Sequence, residues 1–148
     1  ENGSVHAWDV ATATSVTSLA GHKAGVSVAT VSQDGQLVAT GGKDGECLIQ
    51  EPRGALRHRF NVEAPVVGVA FCGEALVVVT AREVQVWSDG SLLAKASPVS
   101  DGEVAFTSIA VVMGWVDEGY SVGVGATDGT IRLFTLVLPV AGSDMAST

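Results

Sequence analysis

Charge is scarce in this chain, and sustained helical patterning is missing. Only 16% of the 148 residues are charged, against 47% hydrophobic, and the mean hydropathy is +0.37. So apolar a chain is not a disordered one, and its length suffices for one domain with a real core. Basic residues are the scarcest class: 8 Lys and Arg stand against 16 Asp and Glu, a formal net charge of −8. That removes the basic footprint of sequence-independent nucleic-acid binding, so no nucleic acid is expected as a partner. With two cysteines, Cys47 and Cys72, both among apolar neighbours, a disulfide scaffold or thiolate zinc site is not expected. Buried free thiols in a reducing, intracellular and cytoplasmic setting are expected instead. The three histidines, His6, His22 and His58, are too scattered to read as a metal centre. No P-loop lysine or GxGxxG before a helix occurs, and Gly123-Val124-Gly125 lies in a strand-like run. Asp117 and Glu118 are adjacent and would point to opposite faces of a strand, so they support no acid/base pair. No catalytic residue, cofactor or metal is therefore expected.

Membrane segments are also hard to find. The opening Glu1-Asn2-Gly3-Ser4 has no basic-then-apolar pattern, so no signal peptide is expected. The most lipid-like window, Val62 to Ala81, contains Glu63, Pro65, Gly73 and Glu74. It reads as two buried strands around the Cys72-Gly73-Glu74 break, and no transmembrane segment is expected.

What is present is glycine, 18 residues of it against 4 prolines, and many short β-branched runs bounded by Gly, Asp, Asn or Ser. Segments of four to eight residues with such boundaries indicate an all-β protein. The best-formed stretch is Gly21 to Glu51, which reads as three short strands with turns at Gln33-Asp34-Gly35-Gln36 and Lys43-Asp44-Gly45. Related strand ends recur at Trp8, Gln50, Trp87 and Phe134, spaced 42, 37 and 47 residues apart. Those spacings bracket the roughly 40–45 residues of one four-stranded propeller blade. Asn2-Gly3, Asp44-Gly45 and Asp128-Gly129 precede three of these strand ends, where a two-residue hairpin needs positive φ. In the third unit Ala81-Arg82-Glu83 takes that place, which predicts a tighter or irregular turn.

Gly21-His22, Ala39-Thr40-Gly41-Gly42-Lys43-Asp44-Gly45 and Gly125-Ala126-Thr127-Asp128-Gly129-Thr130 together resemble the WD-repeat β-propeller family. The resemblance covers residues 2 to about 136 and implies a propeller segment of four-stranded antiparallel blades, about three of them, in an incomplete ring. Residues 1–20 would supply the last two strands of a first blade. Residues 21–61 and 62–98 would form a second and a third blade. Residues 99–138 would give three strands of a fourth, and 139–148 a flexible tail. Thirteen strands do not close a ring of about four to eight blades, so the remainder of the propeller is expected from the same or another chain. A weaker similarity, carried by Val86 to Ala94 and by Gly114-Trp115-Val116-Asp117-Glu118, links the chain to the carboxyl-terminal propeller of BEACH-domain proteins, which are membrane-trafficking scaffolds.

The resemblance implies a buried structural network of His22, Thr40 and Asp44, with Gln50 at the position the family gives to Trp. It implies partner binding through loops, with Lys23, Lys43 and Arg82 on one face, and Asp101 and Glu103 before the last blade. Trp115 and Tyr120 are expected in a loop on the opposite face. Arg53, Arg57, His58 and Arg59 form the one basic cluster, expected on an outermost strand that guards an edge or binds a phosphate or acidic lipid. The function expected is a non-enzymatic protein-interaction scaffold. The alternatives are a structural subunit of a ciliary, coat or ribosome-linked assembly, and a propeller enzyme with a central-channel site.

Overall fold

The computed structural model describes residues 3–97, 104–113 and 119–137. Thirteen strands run through them in four antiparallel sheets. A two-stranded sheet joins β1 (Val5–Asp9) and β2 (Thr14–Leu19). The first complete blade follows as β3 (Val26–Val31), β4 (Val38–Gly42), β5 (Glu46–Gln50) and β6 (Leu56–Asn61). The next is β7 (Val66–Cys72), β8 (Ala75–Thr80), β9 (Val84–Ser88) and β10 (Ser91–Ala96). The last sheet has three strands, β11 (Phe106–Met113), β12 (Gly119–Ala126) and β13 (Ile131–Val137). Each strand pairs with its sequence neighbour, so each sheet is a meander. The all-β, blade-built architecture expected from the sequence is the one observed. No helix among the described residues is long and apolar enough to cross a membrane.

The turns show why so little charge suffices. Asp44 Oδ1 accepts from the Glu46 N–H at 3.0 Å, and Asp128 Oδ1 accepts from the Thr130 N–H at 2.9 Å. Gly45 and Gly129 follow at φ +78° and +80°, where a side chain would be strained. The third unit has neither residue. There Thr80 Oγ1 accepts from the N–H groups of Arg82 and Glu83 at 3.4 and 3.1 Å. A hydroxyl thus replaces the carboxylate, and Ala81 and Arg82 keep negative φ. This is the irregular turn.

Blades are joined by stacking. The inner strands β3, β7 and β11 lie side by side, each with the same interruption in its pairing to the next strand. The register shifts between Val26 and Val28, between Val66 and Gly68, and between Phe106 and Ser108. These bulges recur every 40 residues, so the structural repeat is more regular than the strand-end spacing. Strand β8 lies at the centre and is buried along its whole length. Leu76 and Val78 point to a core shared with Ala39, Cys47, Ile49 and Phe60. Val77 and Val79 point the other way, to a core shared with Phe106, Val122 and Val124. Phe60 and Trp87 stack across the first interface with centroids 4.2 Å apart and planes 16° from parallel. Gly41 lets this interface close, since a Cβ there would stand 2.5 Å from Val66 Cγ1.

The outer faces are different. Trp8 on β1 and Val10 in the turn after it are 62% and 93% exposed, and Ile131 and Leu133 are 73% and 79% exposed on the last sheet. Cys47 and Cys72 are buried free thiols. Burial pushes Cys47 up to about 12, with Asp44 and Glu46 adding to the effect, and pushes Cys72 up to about 11.

Candidate loop-bearing interaction face

The bend before β3, the β4–β5 turn and the β8–β9 turn together make one end of the blade stack. The bend at residues 21–25 is held by three ties. The His22 N–H donates to the Gly3 carbonyl at 2.9 Å, the Lys43 N–H to the Gly25 carbonyl at 3.1 Å, and the Ala24 N–H to Asp44 Oδ2 at 3.2 Å. His22 is buried, with Nε2 2.8 Å from Thr40 Oγ1 and Nδ1 3.5 Å from Asp44 Oδ1. Thr40 is fully buried. His22, Thr40 and Asp44 are thus brought into one chain of contacts reaching from the loop to the middle of the blade. Burial works to raise the Asp44 pKa. The Glu46 and Ala24 N–H groups, with His22 beside them, outweigh it and hold the carboxyl below its ordinary value.

Gln50 does what the sequence did not foretell. It is fully buried, and its side-chain amide grips the backbone of Ala20. Its Oε1 accepts from the Ala20 N–H at 2.7 Å, and its Nε2 donates to the Ala20 carbonyl at 3.0 Å. The amide mimics a neighbouring strand, which an indole with one donor cannot do. The clue was present in the substitution itself, since a primary amide at an apolar strand end needs two partners.

Lys23, Lys43 and Arg82 are exposed on this end. The ties between the bend and the β4–β5 turn put Lys23 and Lys43 on adjoining loops. Arg82 occupies the equivalent turn of the next blade. Tyr120 differs from expectation. It lies within β12, half-buried, and packs on the core between the last two blades, because strand β12 begins at Gly119. It is therefore a strand residue, and its remaining exposed part lines a groove at the opposite end. Trp115, Asp117 and Glu118, as well as Asp101 and Glu103, lie outside the described residues. The basic cluster also reads differently, since Arg57 pairs with Glu51 and Arg59 with Glu46 across β5 and β6. Two of its three arginine charges are already paired within its own blade, which weakens the phosphate or lipid reading. At the opposite end, an open groove of about 1410 Å³ runs past the β3–β4 turn, Arg53, Glu74 and Asp89.

The model of the WD domain, G-beta repeat, family matches residues 13–49, from the end of the first turn through most of β5. Small ribosomal subunit protein RACK1y of Oryza sativa subsp. japonica is 30% identical over 137 residues, covering 88% of this chain and 40% of the relative. The computationally designed Ika4 protein superimposes with a TM-score of 0.73 at 21% identity, over 92% of this chain and 81% of that one. Residues 13–49 thus match a WD repeat, and the chain as a whole resembles the WD-repeat β-propeller family. The designed Ika8 protein gives the same TM-score and identity, over 91% of this chain and 41% of its own, and bears on the fold alone. The chain spans about two-fifths of the length of the rice relative. Neither the matched family model nor that relative carries a BEACH-domain name.

Proposed function

We propose that this WD-repeat segment is a non-enzymatic protein-interaction scaffold whose stacked blades hold loop surfaces out to protein partners. The observation that carries the reading is the two-sided burial of β8, which fixes both neighbouring blades and so the loops between their strands. Support against a channel enzyme comes from the inner strands. Strands β3 and β11 have no ionisable side chain, and β7 has only Cys72, whose thiol stays protonated near neutrality. The exposed apolar faces at Trp8 and at Ile131 and Leu133 suit further blades from the same or another polypeptide. An intracellular location and the absence of nucleic-acid partners belong to the same proposal.

Affinity capture followed by mass spectrometry tests it, with a Lys23→Glu, Lys43→Glu, Arg82→Glu variant alongside. Partners lost from the variant and kept by the wild type are expected. Recovery of chaperones only, or identical sets from both, would overturn the scaffold reading for this face. A second reading has one observation behind it: the name of the rice relative places that protein in the small ribosomal subunit. Co-sedimentation with small ribosomal subunits, resistant to moderate salt, is the outcome this reading requires.

A further inference from the structure

The end of the blade stack away from Lys23 and Lys43 is hollow. The groove of about 1410 Å³ there crosses three sheets, from the β3–β4 turn past the β7–β8 turn to Ile109, Val111 and Tyr120. That volume exceeds the roughly 300–1,000 Å³ of sites built for small molecules, and it suits a length of polypeptide. Both interblade cores come to the surface inside it. The first does so as Leu37, Phe71 and Trp87, and the second as Ile109, Val111 and Tyr120, all of them half-buried. Aromatic rings that keep part of their area in water are favoured anchors for a protein ligand.

Charge divides across the groove. The turns beside the inner strands carry Asp34 and Glu74, 40 residues apart and so at matching places in successive blades. The arginines of the groove, Arg53 and Arg57, lie on the outer side, and Arg57 is paired with Glu51. Asp89, in the β9–β10 turn, adds a further carboxylate. Among the described residues Asp34, Glu74 and Asp89 make no ion pair, so three carboxylates stand against one unpaired arginine, Arg53. Asp34 is held ready. Its Oδ1 accepts from the Ser32 hydroxyl at 2.6 Å and from the Gln36 N–H at 3.0 Å, which leaves Oδ2 for a partner. The same two bonds hold its carboxyl below the ordinary value, so it is charged at neutral pH. Carboxylates beside aromatic rings match arginine better than lysine, since a guanidinium both forks onto carboxylates and stacks on rings.

We propose that this groove takes an extended, arginine-bearing segment of a protein partner, with arginines on Asp34 and Glu74 and an apolar side chain on Phe71 and Trp87. The proposal rests on the scaffold reading above and gives it a second face, at the opposite end from Lys23, Lys43 and Arg82. An acidic segment is disfavoured there, because it would set like charges together along the inner side.

A fluorescein-labelled octapeptide alternating arginine and leucine, titrated by anisotropy into the chain, tests the groove, with an alternating glutamate and leucine octapeptide as comparison. Saturable binding of the arginine peptide alone is expected, weakening as salt rises. Asp34→Asn with Glu74→Gln is expected to weaken it about fivefold or more, the size of two exposed ion pairs. Asparagine keeps the oxygen that the Ser32 and Gln36 bonds need, so the turn survives. Asp9→Asn with Glu63→Gln removes the same charge outside the groove and is expected to change affinity less than about twofold. On the wild type alone, bound peptide should slow amide exchange at the β3–β4 and β7–β8 turns and leave the β4–β5 turn unchanged. No saturable binding, equal loss in both double variants, or equal binding of the glutamate peptide would each overturn the groove assignment. So would slowed exchange at those two turns on raising the protein concentration without peptide, which would give the groove to a second copy. None of these results touches Lys23, Lys43 and Arg82, so the scaffold reading stands or falls on its own capture experiment.

Discussion

Replacing Gln50 by Leu isolates the most unusual contact in the fold. The two side chains are similar in volume, and position 50 is fully buried, so packing is nearly conserved. What disappears are the two hydrogen bonds to Ala20, at 2.7 and 3.0 Å. Each such bond is worth about 1 kcal/mol net, and a buried group left unpaired costs about 1–3 kcal/mol. Ala20 is only half-buried, so water can reach part of the freed backbone and the lower end applies. The expected loss is therefore about 2 kcal/mol, or ~4–8 °C in Tm for a domain of this size. Denaturant and thermal melts measure the total, and hydrogen exchange locates it. The Ala20 amide should lose protection while the Val78 amide keeps it until global unfolding. A loss below about 0.5 kcal/mol with Ala20 still protected would refute the reasoning, because Gln50 would then be space-filling only.

Gly41→Ala should cost about 1–3 kcal/mol, since its methyl meets Val66 at 2.5 Å, and Val66→Ala should relieve part of that cost in a double-mutant cycle. Asp44 has a folded pKa below its ordinary 3.8, so its contribution is complete above that value and fades as pH falls through the lower folded value. The melting advantage of wild type over Asp44→Asn should accordingly shrink only on acidification below about pH 3.8. With Cys47 pushed up to about 12 and both thiols buried, iodoacetamide at about pH 8 should label neither cysteine until the chain unfolds. The isolated 148-residue chain should associate into oligomers, given Trp8, Val10, Ile131 and Leu133 exposed at its two ends. Light scattering and calorimetry check this, and a monodisperse, cooperatively melting monomer would contradict it.

Strands were legible in the sequence because turn chemistry is local. Asp44-Gly45 and Asp128-Gly129 mark hairpins by themselves, and every run between such marks became a strand. The repeat length was legible only coarsely, because strand ends slide while the inner-strand bulges stay 40 residues apart. A bulge is a property of a pair of strands and leaves little trace in either one. Tyr120 was misplaced for a related reason. Its neighbours Asp117 and Glu118 look like loop, and only the pairing of Tyr120 with Leu136 draws it into β12. The group around His22 was readable as residues of a family pattern. The Arg59–Glu46 pair beside it was not, since it depends on how β5 and β6 pair.

Strand β8 has one more consequence, which concerns how its alignment is set. Its middle reads Leu76, Val77, Val78, Val79, so sliding it by one residue would exchange one aliphatic side chain for another in both cores. Hydrophobicity alone therefore does not distinguish the correct alignment from the slipped one, although slipping normally turns a buried face to water. The distinction rests on the two ends. The two-residue Gly73-Glu74 turn, with Gly73 at φ +57°, pins Cys72 opposite Ala75. The Thr80 hydroxyl fixes the far hairpin. Errors in aligning the best-buried strand of this chain should thus come from its exposed turns, with Gly73 and Thr80 as the positions that guard against them.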